Sequence, residues 1–236
     1  MTSTRLPGIA AAAAVCLLAA GCGAAAHSSG TSAQPAGSPD PLASLTAKQI
    51  VTKALDNLKS APGFTMTGTA TVNGQPTTMS FGVADNGCID TVSMGSKGTM
   101  TMIMIGQAMW TKGDAAFWKS SGLGSKYAGK YMKVSGGSAP AGTTCSKDQM
   151  MSGSSRVPLS TDVVKGALTT VNGQRVYPLT DKAKDVTMYV TDTSAPRFVE
   201  MVSQKKGDSA RFTVAYGVPK SLTAPPASET TTMPGM

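Results

Sequence analysis

The chain has 236 residues, 41% apolar and 14% charged, with a formal net charge of +8. That balance allows a buried core and excludes a wholly disordered, highly charged chain. A single histidine, His27, and only two glutamates, Glu200 and Glu229, argue against a histidine-built zinc site, a serine–histidine triad or paired-carboxylate chemistry.

Residues 1–21 carry one cation, Arg5, then an apolar run from Ile9 to Ala20, with small residues before Cys22. These are the parts of a secretory signal, and the run falls short of the roughly 20 residues that span a bilayer. The segment Leu18-Ala19-Ala20-Gly21-Cys22 resembles a bacterial lipobox. The resemblance implies cleavage before Cys22 and a diacylglycerol on its sulfur, with acyl chains of the palmitate kind. The alternative is an ordinary cleaved signal with a chance cysteine. Two acyl chains hold a protein stably where one does not. The expected location is therefore the extracytoplasmic face of the cell membrane, by lipid anchor. The bases are scattered, with Lys205-Lys206 the only adjacent pair, so no nucleic-acid partner is expected.

Cys16 leaves with the leader and Cys22 carries lipid, which leaves Cys88 and Cys145. In an exported chain these are expected to form one disulfide, the rival reading being two free thiols. Residues 22–45 are small and polar with three prolines, a flexible tether that also holds His27. The folded domain is expected over 46–218, and 219–236, rich in Pro, Thr and Ser, reads as a flexible tail.

The domain opens on Thr46 with Gln49 three residues on, a capping box. Ile50, Val51, Ala54, Leu55 and Leu58 then recur at helical spacing up to Pro62-Gly63, which predicts one amphipathic helix of about 14 residues. From Phe64 the period falls to two. Phe64, Met66, Gly68, Ala70 and Val72 alternate with Thr65, Thr67, Thr69 and Thr71, and Asn73-Gly74 turns the chain back through Met79, Phe81 and Val83. Further strands are predicted at Ile89–Met94, Thr99–Ile105 and Ala108–Trp110. Short helices follow near Asp114–Lys119, Lys147–Ser152 and Thr161–Leu168. Asn172-Gly173 joins Leu168–Val171 to Arg175–Leu179, and Val186–Thr191, Arg197–Ser203 and Ala210–Tyr216 complete the strands. The fold class is α+β: a curved antiparallel sheet, an unclosed half-barrel, wrapped over the N-terminal helix and short middle helices.

Several stretches resemble the actinobacterial lipoproteins of the LppX/LprG type. They are Ala54-Leu-Asp-Asn-Leu-Lys-Ser60, Met109-Trp110-Thr-Lys before Phe117-Trp118, and Gly129-Lys-Tyr-Met-Lys-Val134. Val171-Asn-Gly-Gln-Arg-Val-Tyr-Pro-Leu179, Met188-Tyr-Val-Thr-Asp-Thr-Ser-Ala-Pro196, Val214-Ala-Tyr-Gly217 and Ala224-Pro-Pro226 extend the match. The resemblance implies a fold akin to the lipoprotein carriers LolA and LolB and a lipid or acyl-chain ligand. Tyr131 stands where that family commonly has Trp, and the middle is short and rich in Ser and Gly.

Met100, Met102 and Met104 share one face of a strand, and Met66, Met79 and Met188 are placed on the same inner surface. With Phe81, Phe212 and Val214 they are the candidate lining of a ligand cavity, since thioethers adapt to irregular apolar guests. The competing readings are plain core packing and, more remotely, Cu(I) ligation, for which nearby His and Cys ligands are missing. Trp110, Phe117, Trp118, Tyr127 and Tyr131 form either a membrane-touching rim or a local plug. No enzyme activity and no cofactor are expected. The chain reads as a membrane-anchored, monomeric lipid carrier; the alternative is an envelope structural or signalling module with a packed core that acts through protein partners.

Overall fold

The computed structural model describes residues 40–72, 74–134, 145–154, 162–205 and 208–232. Cys22, the leader and most of the expected tether lie outside them. Helix α1 (Ala47–Ser60) starts at the predicted capping box, with Thr46 and Gln49 each satisfying the other's backbone N–H. Ile50, Val51, Ala54 and Leu58 are buried along one stripe. Each large member contributes about 1.5–3 kcal/mol by leaving water.

The first strands form a meander: β1 (Gly63–Val72), β2 (Gln75–Ala84), β3 (Gly87–Ser93), β4 (Thr99–Ile105) and β5 (Ala108–Gly113). Helix α2 (Ala115–Ser120) is capped by Asp114 and leads to β6 (Tyr131–Val134), and α3 spans Lys147–Ser154. The second half holds β7 (Val163–Lys165), β8 (Thr169–Val171), β9 (Gln174–Asp181), β10 (Val186–Thr191), β11 (Phe198–Lys205) and β12 (Asp208–Tyr216). A last short strand, β13, covers Thr230–Thr232.

All of these strands join one sheet in the order β13-β6-β5-β4-β3-β2-β1-β12-β11-β10-β9-β7, with β8 also on β9. Its two ends do not meet, and every pairing is antiparallel except β13 on β6. This is the α+β half-barrel that the alternation predicts. Asn172 and Gly173, with φ of 49° and 75°, make the left-handed turn expected between β8 and β9.

Directly opposed residues of an antiparallel pair point to the same face. One row runs Val214–Met66–Phe81–Asp90–Met102 across β12, β1, β2, β3 and β4. Its neighbour runs Leu179–Met188–Met201–Phe212–Gly68–Met79–Val92–Met100. Helix α1 packs on this apolar side, with Phe64, Val83, Cys88, Met104, Leu179, Val190 and Phe198 in the same core. The opposite side carries hydroxyls that pair across strands, such as Thr67 with Ser80 and Thr91 with Thr101.

The structure corrects three expectations. Residues 219–232 are not a flexible tail: Leu222 is buried with Ala84, Ile103 and Trp110 on the outer face, and β13 pairs with β6. Gly82 makes this docking possible, because the Pro219 ring lies 2.8 Å from where a Cβ would stand. The tether ends earlier than expected, since Leu42 is only 2% exposed and the Lys165 ammonium donates to the carbonyls of Leu42, Ala43 and Leu45. The helix expected at Thr161–Leu168 is strand β7 where described, because Val163-Val164-Lys165 pairs with β9 and β-branched residues suit a pleated surface.

Candidate functional site

A cavity of about 790 Å³ lies between α1, α3 and the apolar side of the sheet. That is within the roughly 300–1,000 Å³ of typical small-ligand sites. Val51, Leu55 and Leu58 of α1 form one wall, and Met150 and Met151 of α3 form another. Phe64, Met66, Met188, Phe198, Met201 and Val214 form the floor. Thr52, Asp56 and Lys59 on α1 and Asp148 and Ser152 on α3 supply the polar part of the lining, and all five are exposed. The interior is therefore oily and adaptable, while the charged groups stay in water.

Four contacts fix the two helical walls. Cys145 is bonded to Cys88 of β3, with the Cα atoms 5.7 Å apart, so the expected disulfide is present. Lys147, buried at the start of α3, lies 3.1 Å from the Asp85 carboxylate and donates to the carbonyl of Ala61 at the end of α1. Asn57 on α1 donates to the Pro196 carbonyl at 2.8 Å, which holds that helix to the chain leading into β11.

Of the nine residues named as a candidate ligand-cavity lining, Met66, Met188 and Val214 lie in the wall of this cavity. Phe81, Met102 and Met104 face the same way but pack into the core, and Met79, Met100 and Phe212 occupy the neighbouring row without reaching the cavity. For the five residues on β2 and β4 the reason is lateral position: the cavity lies over β1 and β10–β12, whereas β2–β4 run on to the other side. Phe212 is on β12 itself, two residues before the lining residue Val214. Met150, Met151, Met201 and Phe198 were not among the expected residues. The adjacent methionines on a short helix were the available signal for the first two.

One polar group on the inner face stands out. Asp90 sits between Phe81 and Met102 in register, and its Oδ1 has no hydrogen-bond partner among the described residues. Burial pushes its carboxyl above the ordinary range. A second acidic group lies where the chain enters the domain. Tyr177 donates to Asp40 at 2.5 Å, and Arg175 lies 2.8 Å from the buried Asp192. The Tyr177 hydroxyl holds Asp40 down, burial pushes Asp192 up, and Tyr177 itself is pushed up to about 12 by its bond to Asp40.

The aromatic group divides. Trp110 and Tyr131 lie on the outer face with Leu222, whereas Phe117, Trp118 and Tyr127 stack edge-on around α2, with centroids 5.0 and 6.0 Å apart. Among the described residues no group of three or more His, Cys, Asp or Glu side chains is placed to hold a metal, and no helix is long and apolar enough to cross a membrane.

No protein-family model matches the sequence, and no curated protein matches it. Solved structures do. The crystal structure of LprF from Mycobacterium bovis superposes with a TM-score of 0.54 at 15% identity, covering 80% of this chain and 99% of LprF. The lipoprotein LppX of Mycobacterium tuberculosis gives 0.47 at 11% identity, covering 75% and 98%. The chain therefore shares its fold with LprF.

Proposed function

We propose that this chain is an exported lipoprotein, anchored through Cys22 at the extracytoplasmic face of the membrane, that binds or carries a lipid or acyl-chain guest in its cavity. The observation that carries this reading is the lining. Five thioethers (Met66, Met150, Met151, Met188 and Met201) surround about 790 Å³, and the charged groups Asp56, Lys59 and Asp148 are all exposed. An amphipathic guest fits that division, with its chain among the methionines and its polar end in water. Thioethers favour a guest of irregular shape, because Met has three rotatable bonds and repacks readily. A module with a fully packed core would leave no such volume.

The test is native mass spectrometry, with lipid extraction, of protein purified from its own host membranes. A consistent co-purifying lipid is the expected result; its absence across independent preparations would overturn the proposal. Cys22→Ala should release the protein from membranes, and retention of that variant would refute the anchor.

A further inference from the structure

A second surface, apart from the cavity, fits a partner of definite chemistry. Between residues 91 and 134 the sequence has six lysines and one acid, Asp114. The Asp114 carboxylate is already occupied: it caps α2 through the Phe117 N–H and accepts from the Thr99 N–H, both at 2.8 Å. The segment therefore holds more than half of the net charge of +8.

Lys97, Lys119, Lys126 and Lys130 are exposed, and none makes an ion pair among the described residues. They are gathered around α2 and the turns beside it. The Ser120 hydroxyl donates to the Lys97 carbonyl at 3.2 Å, which brings the β3–β4 turn to the end of the helix. Trp118 is 3% exposed beneath, in edge contact with Tyr127, whose ring carries the Lys126 ammonium 4.8 Å from its centroid.

The tip of this region is Leu123, 42% exposed between Gly122 and Gly124. The two glycines have φ of +78° and +73° with open space around them, a conformation that other residues adopt only under strain. The tip is not slack. The Leu123 N–H donates to the Trp118 carbonyl at 3.1 Å, and the Gly122 N–H to that of Lys119 at 3.2 Å. An apolar side chain is thus held exposed on the stretch of chain that also carries the exposed Lys119, Lys126 and Lys130.

We infer that the α2 loop, with Leu123 at its apex and Lys97, Lys119, Lys126 and Lys130 around it, is a docking tip for an anionic bilayer surface. The lysines supply attraction to acidic head groups, about fivefold in affinity for each cation near the surface. Leu123 supplies a small apolar wedge for the head-group boundary. This surface is independent of the cavity and of any acyl anchor.

The full chain carrying Cys22→Ala removes the acceptor of an anchor, and any contribution of the leader is common to all variants. Its binding to vesicles of phosphatidylcholine with phosphatidylglycerol is compared with binding to phosphatidylcholine alone. Preference for the acidic vesicles, abolished by high salt, is expected. The triple replacement Lys119→Gln, Lys126→Gln and Lys130→Gln should weaken binding roughly a hundredfold. Leu123→Asp should weaken it about tenfold and Leu123→Trp strengthen it, all with unchanged melting temperature. Equal binding to both vesicles, or indifference to the Leu123 variants, would overturn the inference. So would binding to soluble heparin that depends on the lysines while Leu123→Asp leaves vesicle binding intact, which would assign the patch to a polyanion.

Discussion

Cys145 is joined to Cys88 of β3, and two residues later Lys147 reaches the Asp85 carboxylate and the Ala61 carbonyl. One covalent and one charged tie therefore act on the same end of α3, the helix that walls the cavity. The disulfide spans 57 positions. A loop of that size contributes about 4 kcal/mol in the chain-entropy view. Reduction, or Cys88→Ala with Cys145→Ala, should lower the melting temperature and raise hydrogen exchange in α3 first. A cavity occupied equally well in the reduced protein would mean that α3 does not depend on this tie.

Lys147→Met should remove a charge-assisted bond to the Ala61 carbonyl, a loss of about 1.5–3 kcal/mol. Because the ammonium and the disulfide steady one element, combining the two changes should give a loss different from the sum. Denaturant unfolding of the four members of that cycle measures the coupling. Simple additivity would show that the two ties act separately.

Lys165 brackets the start of the domain, donating to the carbonyls of Leu42, Ala43 and Leu45 and lying 4.0 Å from the centre of the Tyr177 ring. Lys165→Met should free residues 40–45 while leaving the cavity unchanged. Hydrogen–deuterium exchange is the check: protection lost at Leu42–Leu45 but retained in α3 is expected, and unchanged protection at Leu42–Leu45 would contradict the bracket.

Asp90 gives a pH signature. Its carboxyl is raised above 3.8 by burial, so the folded state holds its proton more tightly than the unfolded chain. The stabilisation is complete below the unfolded value and is lost as pH rises through the folded one. Asp90→Asn should therefore melt higher than the parent at neutral pH, with the gap closing in acid below the ordinary carboxylate range. A gap that is constant with pH would show that the charge is not the cause.

Much of this was legible in the residues, for local reasons. Thr65, Thr67, Thr69 and Thr71 alternate with larger or apolar neighbours, and Thr46 with Gln49 announces a helix start; both signals lie within a few positions of what they specify. Strands β6, β7 and β13 were not legible, because three or four residues at a sheet edge take their conformation from the partner. The docked C-terminal segment offered one apolar residue of note, Leu222, whose place depends on the missing side chain of Gly82. The cavity illustrates the same division. Parity put Met66, Met100 and Met188 on the inner face, but which part of that face α3 roofs is set by Cys88–Cys145, a contact far apart in sequence.

Filling the cavity should displace its guest. Leu55 lines it from α1 and is only partly buried. Leu55→Trp is expected to reduce co-purifying lipid by more than half while changing stability by no more than about 1–3 kcal/mol. Undiminished lipid in that variant would place the guest elsewhere on the molecule.

The most direct measurement is methyl NMR of ¹³C-methionine-labelled protein titrated with a long-chain fatty acid. Resonances of Met66, Met150, Met151, Met188 and Met201 should shift together and saturate, while those of Met79 and Met100 stay in place. Shifts confined to Met79 and Met100, or none at saturating ligand, would contradict a guest held between α1, α3 and the sheet.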